Sequence, residues 1–222
     1  MFKNNNLKSK LLILPVLLGG LVMTCAFASV FSTFSTKWLD SEIGDPTGKG
    51  GHSMSGGQLT VTGAGKGDEQ MHFTYTPPPG GDFDIMARIV STTDAPHAKA
   101  GIMVRSADSS ANPAMAQVSY CLQDAKEGLN SLHWFARDVT TSSKSSGGIA
   151  IKKEAPIWLR MVRIGGNFAV YKSADGQTWA TMSNTSGWKF TPEGPLEIGF
   201  FTGSGDPAKT VFGTQSQGRE SS

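Results

Sequence analysis

The sequence predicts an all-β protein: a two-sheet antiparallel sandwich of the jelly-roll type. Three observations lead there. No stretch after residue 38 keeps a helical apolar period with caps. Short runs rich in Val, Ile, Thr, Phe, Tyr and Trp alternate polar with apolar instead. Glycine stands at 27 of 222 residues without a triplet repeat, which supplies turns and excludes collagen.

The elements follow in chain order. Residues 1–28 read as a signal peptide. Lys3, Lys8 and Lys10 charge its start, Leu11 to Val22 is apolar, and Ala26-Phe27-Ala28 is a small-x-small cleavage site. Pro15 and Gly19-Gly20 break the apolar run, which is short for a membrane span. The expectation is export, with no membrane insertion after cleavage. Residues 29–37 read as a spacer, 38–214 as the sandwich and 215–222 as a polar tail. Candidate strands are 58–62, 71–76, 83–91, 98–106, 114–123, 129–138, 148–152, 157–164, 167–173, 178–183, 196–202 and 209–214. Gly63-Ala64-Gly65, Gly165-Gly166 and Ala174-Asp175-Gly176 mark turns between them. Asp175 suits a turn-capping carboxylate, with Gly176 in the left-handed conformation.

Charge and cysteine content exclude several classes. The chain carries a formal +2, without the concentrated Lys and Arg of a nucleic-acid binder. The three leader lysines supply that excess, so the remainder is near neutral. Two cysteines exclude a disulfide scaffold. Cys25 falls in the leader, and Cys121, in an apolar run, reads as a buried thiol.

At this point the residues resemble a known group. Trp38, Glu42-Ile43-Gly44, Leu59 to Gly63, Phe73-Thr74-Tyr75, Gly81-Asp82, Ile85 to Arg88, Ala98 to Arg105, Trp158 to Arg163 and the Asp175 hairpin carry the resemblance. It is to the bacterial concanavalin A-like sandwich domains of unknown function, related to a regulation-of-enolase-like protein. The chain departs at His97, where Trp is usual, and in the shortened last strand, Val211 to Thr214. The resemblance implies a jelly roll and no established catalysis. Glycan binding is the function usually inferred for such domains, from fold analogy.

The carboxylates are the first candidates for chemistry. A retaining glycosidase needs two of them about 5 Å apart, commonly on one strand. No Glu reads as lying on an apolar strand beside such a partner; Glu42 and Asp45 fall in an expected loop. Asp82 and Asp84 read as the solvated start of a strand, and Glu193 and Glu197 flank Pro195. A lyase reading needs a base beside Arg, for which His133, Arg137 and Tyr171 are available. Structural calcium is the cofactor to weigh, with Asp40, Glu42, Asp45 and Asp68 as loop ligands.

Alternation yields a binding face. Ala100, Ile102, Val104, Leu132, Trp134, Leu159, Met161, Phe168 and Val170 are expected in the core. Lys99, Met103, Arg105, His133, Arg137, Trp158, Arg160 and Tyr171 then point outward. That set joins aromatic rings, which stack on sugars, to cations that bind hydroxyls or carboxylates. On a concave sheet it suits a polysaccharide. The alternative is that the same residues pack beneath loops with their arginines paired. Trp188 reads as a loop anchor or an exposed platform. The expected function is a secreted, non-catalytic glycan-binding module. A glycosidase or lyase and an exported protein-binding domain stand as alternatives.

Overall fold

The computed structural model describes residues 37–66, 68–77, 82–92, 96–107, 114–123, 128–138, 144–152, 155–165, 167–184, 195–206 and 211–217. The leader, most of the spacer, Trp188 and Glu193 lie outside them. Fourteen strands are formed: β1 Leu39–Ile43, β2 Gly51–Ser55, β3 Gln58–Gly63, β4 Met71–Thr76, β5 Phe83–Thr92, β6 Lys99–Ser106 and β7 Met115–Cys121. Then come β8 Asn130–Arg137, β9 Lys144–Ile151, β10 Ile157–Ile164, β11 Asn167–Ser173, β12 Ala180–Asn184, β13 Leu196–Gly203 and β14 Val211–Gln217. No α-helix occurs among the described residues, and no helix there is long and apolar enough to cross a membrane.

Two seven-stranded antiparallel sheets result. Sheet A has the order β1-β4-β13-β6-β7-β8-β9, and sheet B the order β12-β11-β10-β5-β14-β3-β2. Every strand expected from the sequence is present. β1 and β2 were not expected, and β9 begins at Lys144, ahead of the strand expected from residue 148. β14 runs on through Gln217, into the segment expected as a tail.

The core lies between the sheets. Ala100, Ile102, Val104, Val118, Leu132, Ile198 and Phe200 face it from sheet A. Leu59, Val61, Ile85, Ile89, Leu159, Met161, Phe168 and Val170 face it from sheet B. Period-two alternation places these residues on one side of each strand, as the sequence predicts. Trp134 packs against the same core.

A second apolar cluster lies on the outer side of sheet A: Ile43, Met71, Phe73, Met103, Met115, Phe135 and Phe201. Gly101 makes room for it. Gly101 is paired with Phe201, and a Cβ there would stand 2.9 Å from the Phe201 ring. Cys121 is a buried thiol on β7, as expected.

The edge strands β1 and β2 close one side of the sandwich with polar groups. His72 of β4 is buried, its Nδ1 2.9 Å from Glu42 Oε1 and its Nε2 3.0 Å from Asp40 Oδ1. Asp40 also accepts from Thr74 at 2.8 Å and meets His52 Nδ1, on sheet B, at 2.9 Å. Asp40 and Glu42 therefore sit at alternate positions of β1, on one side of a strand rather than in a loop. Burial pulls the Asp40 carboxyl upward, but the hydrogen bonds from His52, Thr74 and His72 outweigh it and hold it below its ordinary value.

Candidate functional site

The strand registers decide where the eight expected residues lie. Lys99, Met103 and Arg105 on β6, with His133 and Arg137 on β8, point out from sheet A. Trp158 and Arg160 on β10, with Tyr171 on β11, point out from sheet B. The expected single surface is thus two surfaces on opposite sides of the sandwich. Alternation fixes the side of a strand, but not the sheet that the strand joins. The lyase set separates for the same reason: His133 and Arg137 belong to sheet A, and Tyr171 to sheet B.

On sheet A the outward residues are covered and paired. Met103 is fully buried, and Lys99 and Arg137 are nearly so. The segment between β3 and β4 folds over them. Lys99 Nζ donates to Asp68 Oδ1 at 3.0 Å, and Gln117 Nε2 to the Asp68 carbonyl at 2.7 Å. Arg137 pairs with Glu69, which also accepts from Lys144 Nζ at 2.7 Å. Arg105 Nε lies 3.2 Å from Glu197 Oε2. Burial raises the Glu197 carboxyl above its ordinary value, against the opposing pull of Arg105 and Tyr75. His133 packs across β9, where a Cβ on Gly148 would stand 2.9 Å from its Nε2. This surface takes the alternative of paired, covered cations.

The proposed calcium ligands do not converge either. Asp40 and Glu42 hold His72, Asp45 is exposed beside Lys49, and Asp68 pairs with Lys99. Among the described residues, no group of three or more His, Cys, Asp or Glu side chains is placed to hold a metal ion.

On sheet B the outward residues remain half-exposed: Trp158, Arg160, Tyr171 and Trp179 are all intermediate in burial. Arg160 organises them. Its Nε donates to Asp84 Oδ1 at 2.7 Å, and its Nη2 also bonds Asp84, making a forked pair. The Asp84 hydrogen bond raises the Arg160 pKa further, more than burial lowers it. Asp84 is therefore a guanidinium partner rather than a solvated strand start. The held guanidinium lies 5.6 Å from the Tyr171 ring centroid and 5.5 Å from that of Trp179.

The hairpin after β11 brings Trp179 there. Ser173 Oγ donates to Asp175 Oδ1 at 2.8 Å, and Asp175 accepts the backbone N–H of Gln177 and Thr178 at 2.9 and 2.8 Å. Those backbone bonds hold the exposed Asp175 carboxyl far below its ordinary value. Gly176 takes a φ of 75°, and a Cβ there would stand 2.8 Å from the Trp158 indole. The turn-capping role expected for Asp175 is the one observed.

Three residues of this surface escaped the sequence reading: Asp84, Arg88 and Trp179. Alternation along Asp84-Ile85-Met86-Ala87-Arg88 carried the signal for two of them, because Ile85 and Ala87 face the core. Trp179 lies outside a strand, and only the turn geometry places it.

Solved structures share this architecture. A functionally unknown protein from Saccharomyces cerevisiae is similar, with a TM-score of 0.60 at 17% identity, over 83% of this chain and 94% of that one. A β-1,3-1,4-glucanase (lichenase) from a mouse hindgut metagenome gives 0.55 at 8% identity, over 84% and 94%. A GH43 protein from Bacillus licheniformis gives 0.55 at 14% identity over 73% of this chain, which spans 32% of that protein's length. No family model and no curated protein matches the sequence. The fold is an antiparallel jelly-roll β-sandwich, shared with the yeast protein and the lichenase.

Proposed function

We propose that this chain is an exported, non-catalytic module that binds polysaccharide on the outer side of sheet B. The observation that carries the reading is the half-exposed cluster of Trp158, Tyr171 and Trp179 around the Asp84-held Arg160. Flat rings fixed by a rigid polar centre suit the apolar face of a pyranose, and prior fixation lowers the ordering cost of binding. The fold shared with a lichenase and a GH43 protein supports a glycan partner by analogy. Export rests on the Lys3 to Ala28 leader pattern. Kinship to the regulation-of-enolase-like sandwiches rests on the Ala98 to Arg105 and Trp158 to Arg163 blocks.

A polysaccharide array run beside a reducing-sugar assay tests this. Retention on at least one polymer, abolished by Trp179→Ala and accompanied by no sugar release, is the expected result. Sugar release above background would instead make the chain an enzyme. Binding untouched by Trp179→Ala would move the site elsewhere.

A further inference from the structure

The charges on the outer side of sheet B follow from its registers. The outward positions of β2, β3 and β11 (Gly51, Ser53, Ser55; Gln58, Thr60, Thr62; Asn167, Ala169, Tyr171, Ser173) carry none. β12 and β14 contain no charged residue. On the strands there remain Asp84 and Arg88 on β5 and Arg160 on β10, while the exposed Asp175 carboxyl sits in the hairpin that packs on Trp158. Asp84 and Arg160 cancel in their forked pair. Arg88 is the strand charge left without a paired group among the described residues. It is half-buried, and among the described residues it makes no hydrogen bond or ion pair. It stands in register with Trp158 and one step along β5 from Met86, which is paired with Arg160.

A guanidinium is always charged, and a partly desolvated one without a counter-ion is costly. Its fork matches a carboxylate or a sulfate, taken in two parallel hydrogen bonds. We infer that the surface is selective for acidic polysaccharide, with Arg88 receiving the anionic group while neighbouring sugar rings lie on the Trp158–Tyr171–Trp179 cluster. This rests on the reading of sheet B as the glycan surface. Asp84 sets the selectivity: by neutralising Arg160, it leaves a single anion position rather than two.

Titration calorimetry with polygalacturonate, dextran sulfate and neutral dextran tests the inference. The wild type is expected to bind an acidic polymer about tenfold more tightly than dextran, the equivalent of one charge-assisted contact. The carboxylated and sulfated polymers report which anion fits. Arg88→Gln is expected to bring the acidic and neutral affinities together. Asp84→Asn, which frees Arg160, is expected to tighten acidic binding, and this gain is not a result that misfolding produces. Equal affinity of the wild type for dextran and both acidic polymers, or acidic preference surviving Arg88→Gln, overturns the selectivity but leaves the glycan surface standing. Absence of binding to any polymer overturns both.

Discussion

Met103 and Arg160 hold equivalent places, each on the outer side of a central strand of its sheet, yet their surroundings differ in kind. Met103 is fully buried in an apolar cluster, and the cations beside it, Lys99 and Arg137, are taken by Asp68 and Glu69. Arg160 is fixed by Asp84 but stays half-exposed, with two aromatic rings against it. Sheet A's outer side works as a second core, whereas sheet B's outer side stays half-exposed around Arg160. Burial, not residue type, distinguishes the two sides. Both sides carry aromatics and arginines.

Mutations on the covered side should therefore act on stability. Phe201→Ala removes a fully buried ring from that cluster and is expected to cost about 3–5 kcal/mol, read as a lower urea midpoint. A cost near that of a surface change would mean that this side is open. Next is Glu69→Ala, which removes the carboxylate that pairs with the nearly buried Arg137. Because Glu69 is itself 39% exposed, the loss is expected at about 1–3 kcal/mol, below the figure for a fully buried pair. Glycan binding is expected to be unchanged in both variants at temperatures where they remain folded.

A smaller effect is expected from acid. Hydrogen bonds hold the Asp40 carboxyl below its unfolded value, so its contribution is complete above that value and is lost as the pH falls through the folded one. The carboxyl of Glu69 is also depressed, by Lys144 and Arg137 against the upward pull of burial, and acts in the same sense. Melting temperature should thus decline as the pH drops below about 4. Asp40→Asn should flatten part of that decline. An unchanged acid profile in the variant would remove the His52–Asp40–His72 link from the account.

The sequence carried much of this, and the gaps have physical causes. Alternation in β6, β8, β10 and β11 pointed every named residue to the correct side of its strand. It carried no information on which sheet each strand joins, so Arg105 and Arg160 were pooled although they face opposite ways. Nor does alternation tell an open side from one under a loop, and the short segment holding Asp68 and Glu69 makes that difference. β1 and β2 lack an apolar period because Asp40, Glu42 and His52 take inward positions, where Asp40 meets His52 and both carboxylates meet His72. A polar interior erases the apolar period on which strand recognition depends. The Asp175 hairpin was legible because its chemistry is local.

Hydrogen exchange measured with and without a bound polysaccharide tests the central claim most directly. The account predicts slowed exchange at Trp158–Arg160, Tyr171 and the Asp175–Trp179 turn, with β6, β7 and β8 unchanged. Protection confined to β6, β7 and β8, with β10 and β11 unaffected, would contradict it.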